Sequence, residues 1–98
     1  MSRPVLAMLV KFKSSLSIEE ITKVIHDRID EFRALEGLEQ KYYLRDDTTG
    51  EVGGLYIWRS EDDFTAYRNS ALRATIAQAY QTQGEPSIEL FHIVETLR

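Results

Sequence analysis

Ninety-eight residues leave room for one domain, because a chain of this size buries roughly 65% of its unfolded surface around a single core. Hydrophobic residues make up 43% and charged residues 29%, the ordinary globular range, so disorder and low-complexity linkers are not expected. A formal net charge of −4 argues against a nucleic-acid partner, and the absence of cysteine excludes disulfides, a thiolate nucleophile and a cysteine-ligated metal, which makes a cytoplasmic protein the default.

The first apolar run, Val5 to Val10, is shorter than a signal-peptide core and falls far short of the ~20 apolar residues of a membrane span, so no membrane partner is expected. Extended to Phe12, it is apolar on both alternating faces, Val5, Ala7 and Leu9 against Leu6, Met8, Val10 and Phe12, as in a strand covered on both sides. "SIEE" at Ser17 to Glu20 sets a hydroxyl cap three residues before a glutamate, which together satisfy two free N–H groups of a helix start. The helix that follows carries an apolar stripe of Ile18, Ile21, Ile25, Ile29, Phe32 and Leu35, with Glu19, Lys23, Asp27, Asp30 and Glu31 on the remaining face, and Gly37 ends it.

"LEQKYYLR", Leu38 to Arg45, and "VGGLYIW", Val52 to Trp58, predict two strands, and the turn chemistry of "DDTTGE" between them predicts a hairpin. "SEDD" at Ser60 to Asp63 opens a second helix that turns Phe64 and Tyr67 inward. A further helical segment from near Ser70 is expected to bury Leu72, Ile76 and Tyr80 until "GEP", Gly84 to Pro86, stops it, after which "SIELFHIVE" predicts the fourth strand. The order β-α-β-β-α-β predicts one α+β domain over residues 1–98, ferredoxin-like, with a four-stranded antiparallel sheet and both helices on one face. Apolar residues on both faces of strands one, three and four then require cover for the second face, and a homodimer paired through the sheet is the economical answer.

The stretch "GLEQKYYLRDDTTGEVGGLYIWRSEDDFTAYRNS" resembles the YdhR-type monooxygenase family, whose pattern is G-L-x-x-K, a variable hairpin, G-G-x-Y-x-W and an A-Y on the next helix. The matching positions are Gly37, Leu38, Lys41, Gly53, Gly54, Tyr56, Trp58, Ala66 and Tyr67, and the element order agrees along nearly the whole chain. More distantly, "WRSEDDFTAYRNS" is similar to the antibiotic-biosynthesis monooxygenases, in which a histidine tends to follow the tryptophan by nine positions. That position here is Tyr67. In the haem-degrading members of the wider group this histidine ligates iron, and a phenol is a poorer ligand, so haem degradation is not expected. Both resemblances imply a dimeric α+β barrel.

Tyr56 and Trp58 lie two apart on a strand and share a face, on which Gly54 leaves space for a flat aromatic molecule; close helix packing or a bulge is the structural alternative for the glycine pair. Lys41 either reaches water at a sheet edge or sits beside the pocket with a lowered pKa. Hairpin register determines whether Lys41 and Tyr43, or Gln40 and Tyr42, join the face of Tyr56. His92, between Phe91 and Ile93, is a candidate base or a structural histidine. His26 and Asp30 stand four apart, but neighbouring Asp27 and Arg28 mark a solvated face, so no metal site is expected.

No phosphate loop, dinucleotide fingerprint or Ser-His-Asp set is present, so no cofactor is expected. The resemblance and the ring-lined strand together imply a cofactor-independent monooxygenase of small aromatic or polycyclic substrates of the quinol or phenol type. Lys41, Tyr56 and His92 are its candidate catalytic groups, and Tyr43, Gly54, Tyr56, Trp58 and Tyr67 its candidate substrate-binding residues. A non-catalytic barrel for a small hydrophobic ligand, or a cyclase or isomerase on the same scaffold, are the alternatives.

Overall fold

The structure is a computed structural model and describes residues 4–98. Strand β1 (Leu6–Ser14) leads into helix α1 (Ile18–Arg33), followed by β2 (Leu38–Arg45), β3 (Val52–Trp58), the short helices α2 (Glu61–Arg68), α3 (Ala71–Ala74) and α4 (Ile76–Tyr80), and β4 (Thr82–His92). The four strands form one antiparallel sheet in the order β2-β3-β1-β4, the ferredoxin-like arrangement. Helix starts follow the local chemistry: Ser17 Oγ accepts from the Glu20 N–H at 3.2 Å while Glu20 Oε1 accepts from the Ser17 N–H at 2.9 Å, and Ser60 and Ser70 cap α2 and α3 in the same way through Asp63 and Arg73.

The helices lie on the face shared by Leu6, Met8, Phe12, Val52, Tyr56 and Trp58, all buried. There the core divides in two. One cluster gathers Leu6, Met8, Phe32, Tyr56, Trp58, Phe64 and Tyr67; the other gathers Phe12, Ile21, Val52 and Tyr80. On the opposite face Leu9, Leu55 and Ile57 are half-buried, while Tyr42, Leu44 and Phe91 are 52%, 40% and 50% exposed.

Two expectations need correction. The fourth strand begins at Thr82, before "GEP", and the helical segment stops instead at Gln81, which takes the left-handed conformation (φ 48°). Gly84 (φ 75°) and Pro86 lie within β4, where the pairing with β1 slips between Lys11, opposite Ser87, and Lys13, opposite Gln83. β4 is an edge strand, so a proline without an N–H is tolerated, and a glycine able to take positive φ forms the bulge. The strand also closes at His92, with Ile93 adding one more bond to the Val5 carbonyl at 2.9 Å. Secondly, Arg28 does not belong to a solvated face: it is half-buried and its Nη2 donates to the Thr75 hydroxyl at 2.7 Å and the Leu72 carbonyl at 3.3 Å, fastening α1 to α3.

Among the described residues no helix is long and apolar enough to cross a membrane.

Candidate functional site

Between the two core clusters lies a cavity of about 400 Å³, walled by sheet residues Met8, Val10, Phe12, Gly54 and Tyr56 on one side and by Ile21, Ile25, Tyr67, Ile76 and Tyr80 of the helices on the other. The hairpin register places Lys41 opposite Tyr56 and Tyr43 opposite Gly54, so Lys41 and Tyr43 join the helix-side face and Gln40 and Tyr42 do not. A glycine at 54 is what admits the lysine: a Cβ there would press at 3.2 Å on both Lys41 Cε and the Tyr56 ring. The neighbouring Gly53 serves close packing, since a Cβ would overlap the Val10 carbonyl oxygen of β1. Gly54 thus faces the cavity, while Gly53 packs against the backbone of β1, with neither a helix nor a bulge at that point.

Lys41 Nζ is held in an aromatic cage, 3.5 Å from the centroid of Phe32 and 4.4 Å from those of Tyr43 and Tyr56. Burial pushes its pKa down to about 7, the Arg28 charge adds a smaller push in the same direction, and the ring faces act the other way by favouring the ammonium. No carboxylate among the described residues pairs with it. The phenols around it are held protonated: burial raises Tyr56 well above its ordinary value, raises Tyr43 and Tyr67, and pushes Tyr80 up to about 12. Tyr67 donates to the Tyr56 hydroxyl at 3.5 Å.

Of the residues singled out from sequence, the fold brings Lys41, Tyr43, Gly54, Tyr56 and Tyr67 to the cavity wall. Trp58 stands behind that wall, fully buried, stacked on Tyr56 (centroids 6.4 Å apart, planes within 4°) and tilted against Tyr67 at 5.3 Å. Its indole N–H meets no acceptor among the described residues. His92 is not brought there: it pairs with Leu6 at the other end of β1, is 75% exposed, and its Nδ1 lies 3.6 Å from Glu61. No group of three or more metal-ligating side chains occurs among the described residues.

Sequence reasoning passed over Arg28 and Arg73. Arg73 lines the cavity, and Arg28 lies close enough for its charge to act on Lys41, Tyr43, Tyr67 and Tyr80. For Arg28 a signal was present: Ile21, Ile25, Arg28, Phe32 and Leu35 are spaced by four and three, the period of a buried helix stripe.

The fold is shared with solved structures. SnoaB of Streptomyces nogalater, a cofactor-independent oxygenase, is 16% identical with a TM-score of 0.75 over 97% of this chain and 98% of its own. A protein of Caulobacter crescentus CB15 described as a "putative antibiotic biosynthesis monooxygenase" is 19% identical with a TM-score of 0.78 over 95% of this chain and 92% of its own. NE2512 of Nitrosomonas europaea, of unknown function, is 16% identical with a TM-score of 0.75 over 98% of this chain and 95% of its own. At such identities the likeness establishes the ferredoxin-like α+β fold. No curated protein matches the chain. Residues 6–97 match the family described as "Putative mono-oxygenase ydhR". With all but the two ends of the chain inside that match, the protein belongs to the YdhR mono-oxygenase family.

Proposed function

We propose that the protein is a cofactor-independent monooxygenase that oxidises an electron-rich phenol, hydroquinone or anthrone in the cavity between sheet and helices. The observation that carries this reading is Lys41: an amine without a carboxylate partner among the described residues, caged by rings, facing a cavity of small-molecule size and poised near neutrality. Neutral Lys41 accepts the proton of the phenol or enol, and the anion so formed supplies the electrons for dioxygen. Oxygen adds at the ring carbon as a hydroperoxide, and the proton returned by Lys41 leaves with water as the carbonyl forms. In net terms an anthrone CH2 and O2 give C=O and H2O, with no external reductant. The Tyr56 hydroxyl, kept protonated by burial and accepting from Tyr67, donates to the developing oxyanion. SnoaB, a cofactor-independent oxygenase of the same fold, supports this reading.

The working unit we propose is a homodimer, paired through the sheet face that exposes Tyr42, Leu44 and Phe91. A cysteine-free chain acting on a small molecule fits the cytoplasm.

The test is oxygen consumption with a panel of quinols and anthrones. The expected result is uptake whose rate rises as pH passes through about 7, and a fall of about 100-fold or more in Lys41→Met, the usual worth of a general base. No uptake above buffer across the panel sinks the proposal; saturable quenching of Trp58, the sole tryptophan, without uptake would leave a binding barrel.

A further inference from the structure

The charges at the cavity are of one sign where they are free. Its lining includes Lys41, Arg45, Asp47 and Arg73, but Arg45 and Asp47 neutralise each other at 2.7 Å. Lys41 and Arg73 remain, on opposite walls, the first on β2 and the second on α3. Arg28 stands outside the lining but acts on Lys41, Tyr43 and Tyr67 as a third positive charge, with Nη2 engaged by Thr75 and Leu72 and its buried Nε meeting no acceptor among the described residues. Among the described residues none of the three pairs with a carboxylate. This is unusual in a chain of net charge −4, whose 16 acidic residues outnumber its 12 lysines and arginines. Like charges facing a partly dry space repel one another, and the repulsion is relieved when an anion enters.

We infer that the cavity is built for an anionic aromatic ligand, a fused-ring phenol bearing a carboxylate, with the phenolic oxygen at Lys41 and the carboxylate at the Arg73–Arg28 side. This deepens the functional reading and rests on it for the aromatic nature of the ligand. The rings of Phe32, Tyr43 and Tyr56 that cage Lys41 offer the flat contact, and a cavity of about 400 Å³ is of the size that holds fused rings. An arginine matches a carboxylate with two parallel N–H donors, which a lysine at that wall would not do. The charge at Arg73 therefore selects among substrates, whereas Lys41 serves the reacting oxygen.

The experiment is calorimetric titration of the intact protein with 4,5-dihydroxyanthraquinone-2-carboxylate and with its methyl ester, in which a methyl group replaces that charge. The acid is expected to bind at least tenfold more tightly than the ester. In Arg73→Gln, whose parent side chain makes no hydrogen bond among the described residues and so leaves the fold in place, that preference should fall to about twofold or less with the ester unchanged, and Arg73→Lys should restore part of it. Equal affinity of acid and ester in the wild type, a preference undiminished in Arg73→Gln, or no binding of either compound overturns the inference. Binding is read without turnover, so the two proposals fail separately: a protein that prefers the acid yet consumes no oxygen keeps the ligand class and loses the reaction, and one that oxidises neutral quinols while binding acid and ester alike does the reverse.

Discussion

Lys41 is the residue in which sequence, packing and chemistry meet. Its pKa of about 7 in the folded protein lies below the ordinary 10.5 that it has when unfolded. Between those values the unfolded chain binds the extra proton, so this group makes folding stability rise as pH climbs from about 7 to about 10, with no further change outside that window. At neutral pH and below, the ammonium is therefore a cost to the fold, partly offset by the rings around it. Lys41→Met should be more stable than the wild type at about pH 6, and the advantage should shrink as the pH is raised towards 10. Urea midpoints measured across that range check this, and a variant that runs parallel to the wild type throughout would mean that the amine is not buried.

At the scale of an element, β3 is organised by two adjacent glycines with unlike tasks. Gly53 faces away from the helices and lies so close to the Val10 carbonyl of β1 that a methyl group has nowhere to go, because both neighbours are backbone in a paired sheet. Gly54 faces the cavity, where the obstacles are the end of a flexible lysine and the rim of a ring. Gly53→Ala should cost about 3 kcal/mol or more by forcing β1 and β3 apart, whereas Gly54→Ala should cost about 1 kcal/mol and chiefly displace Lys41. Denaturant unfolding of the two variants gives the comparison; equal losses would contradict the separate tasks. β4 shows the same economy at the sheet edge, where Gly84 and Pro86 form a bulge that leaves Ser87 onwards in register with β1.

For the whole molecule, the unanswered need is cover for the sheet face opposite the helices. Tyr42, Leu44 and Phe91 are exposed there beside half-buried Leu9, Leu55 and Ile57, and beyond β4 the chain continues with Val94 and Leu97 at 95% and 88% exposure. A second copy laid against this face would bury about 800 Å² per partner, the standard interface size, and at roughly 25 cal/mol per Å² of apolar area the gain exceeds what scattered surface contacts offer. Loss of translational freedom takes back much of it, so area gives the direction and no dissociation constant. Light scattering at micromolar concentration should report about twice the chain mass of 11.3 kDa, and Leu55→Glu should give a destabilised monomer. A soluble, well-folded wild-type monomer would remove the pairing from the proposed function while leaving the cavity intact, since the cavity lies within one chain.

What the sequence determined by itself is the set of elements and the side-chain types that a few of them carry to the cavity. Hydroxyl caps, the three-and-four spacing of α1 and the period of two in β3 are local or periodic properties, and they turned Phe64 and Tyr67 inward and put Tyr56 and Trp58 on one face, while the choice of the helix side for that face came from packing. Tertiary structure decided what depends on a partner strand or helix. Which of Lys41 and Gln40 faces the cavity is a matter of hairpin register, and a slip of one residue exchanges the two faces. "GEP" has the composition of a helix stop and of an edge bulge alike, and only its pairing with β1 selects the second. His92 has a base's chemistry but stands at the wrong end of the sheet, and Arg28, charged within an apolar stripe, is held where its charge acts on Lys41 because α3 packs over it. Side-chain type is written in the chain; the company each side chain keeps is set by contacts between residues far apart in it, and those follow from the packing of the whole domain.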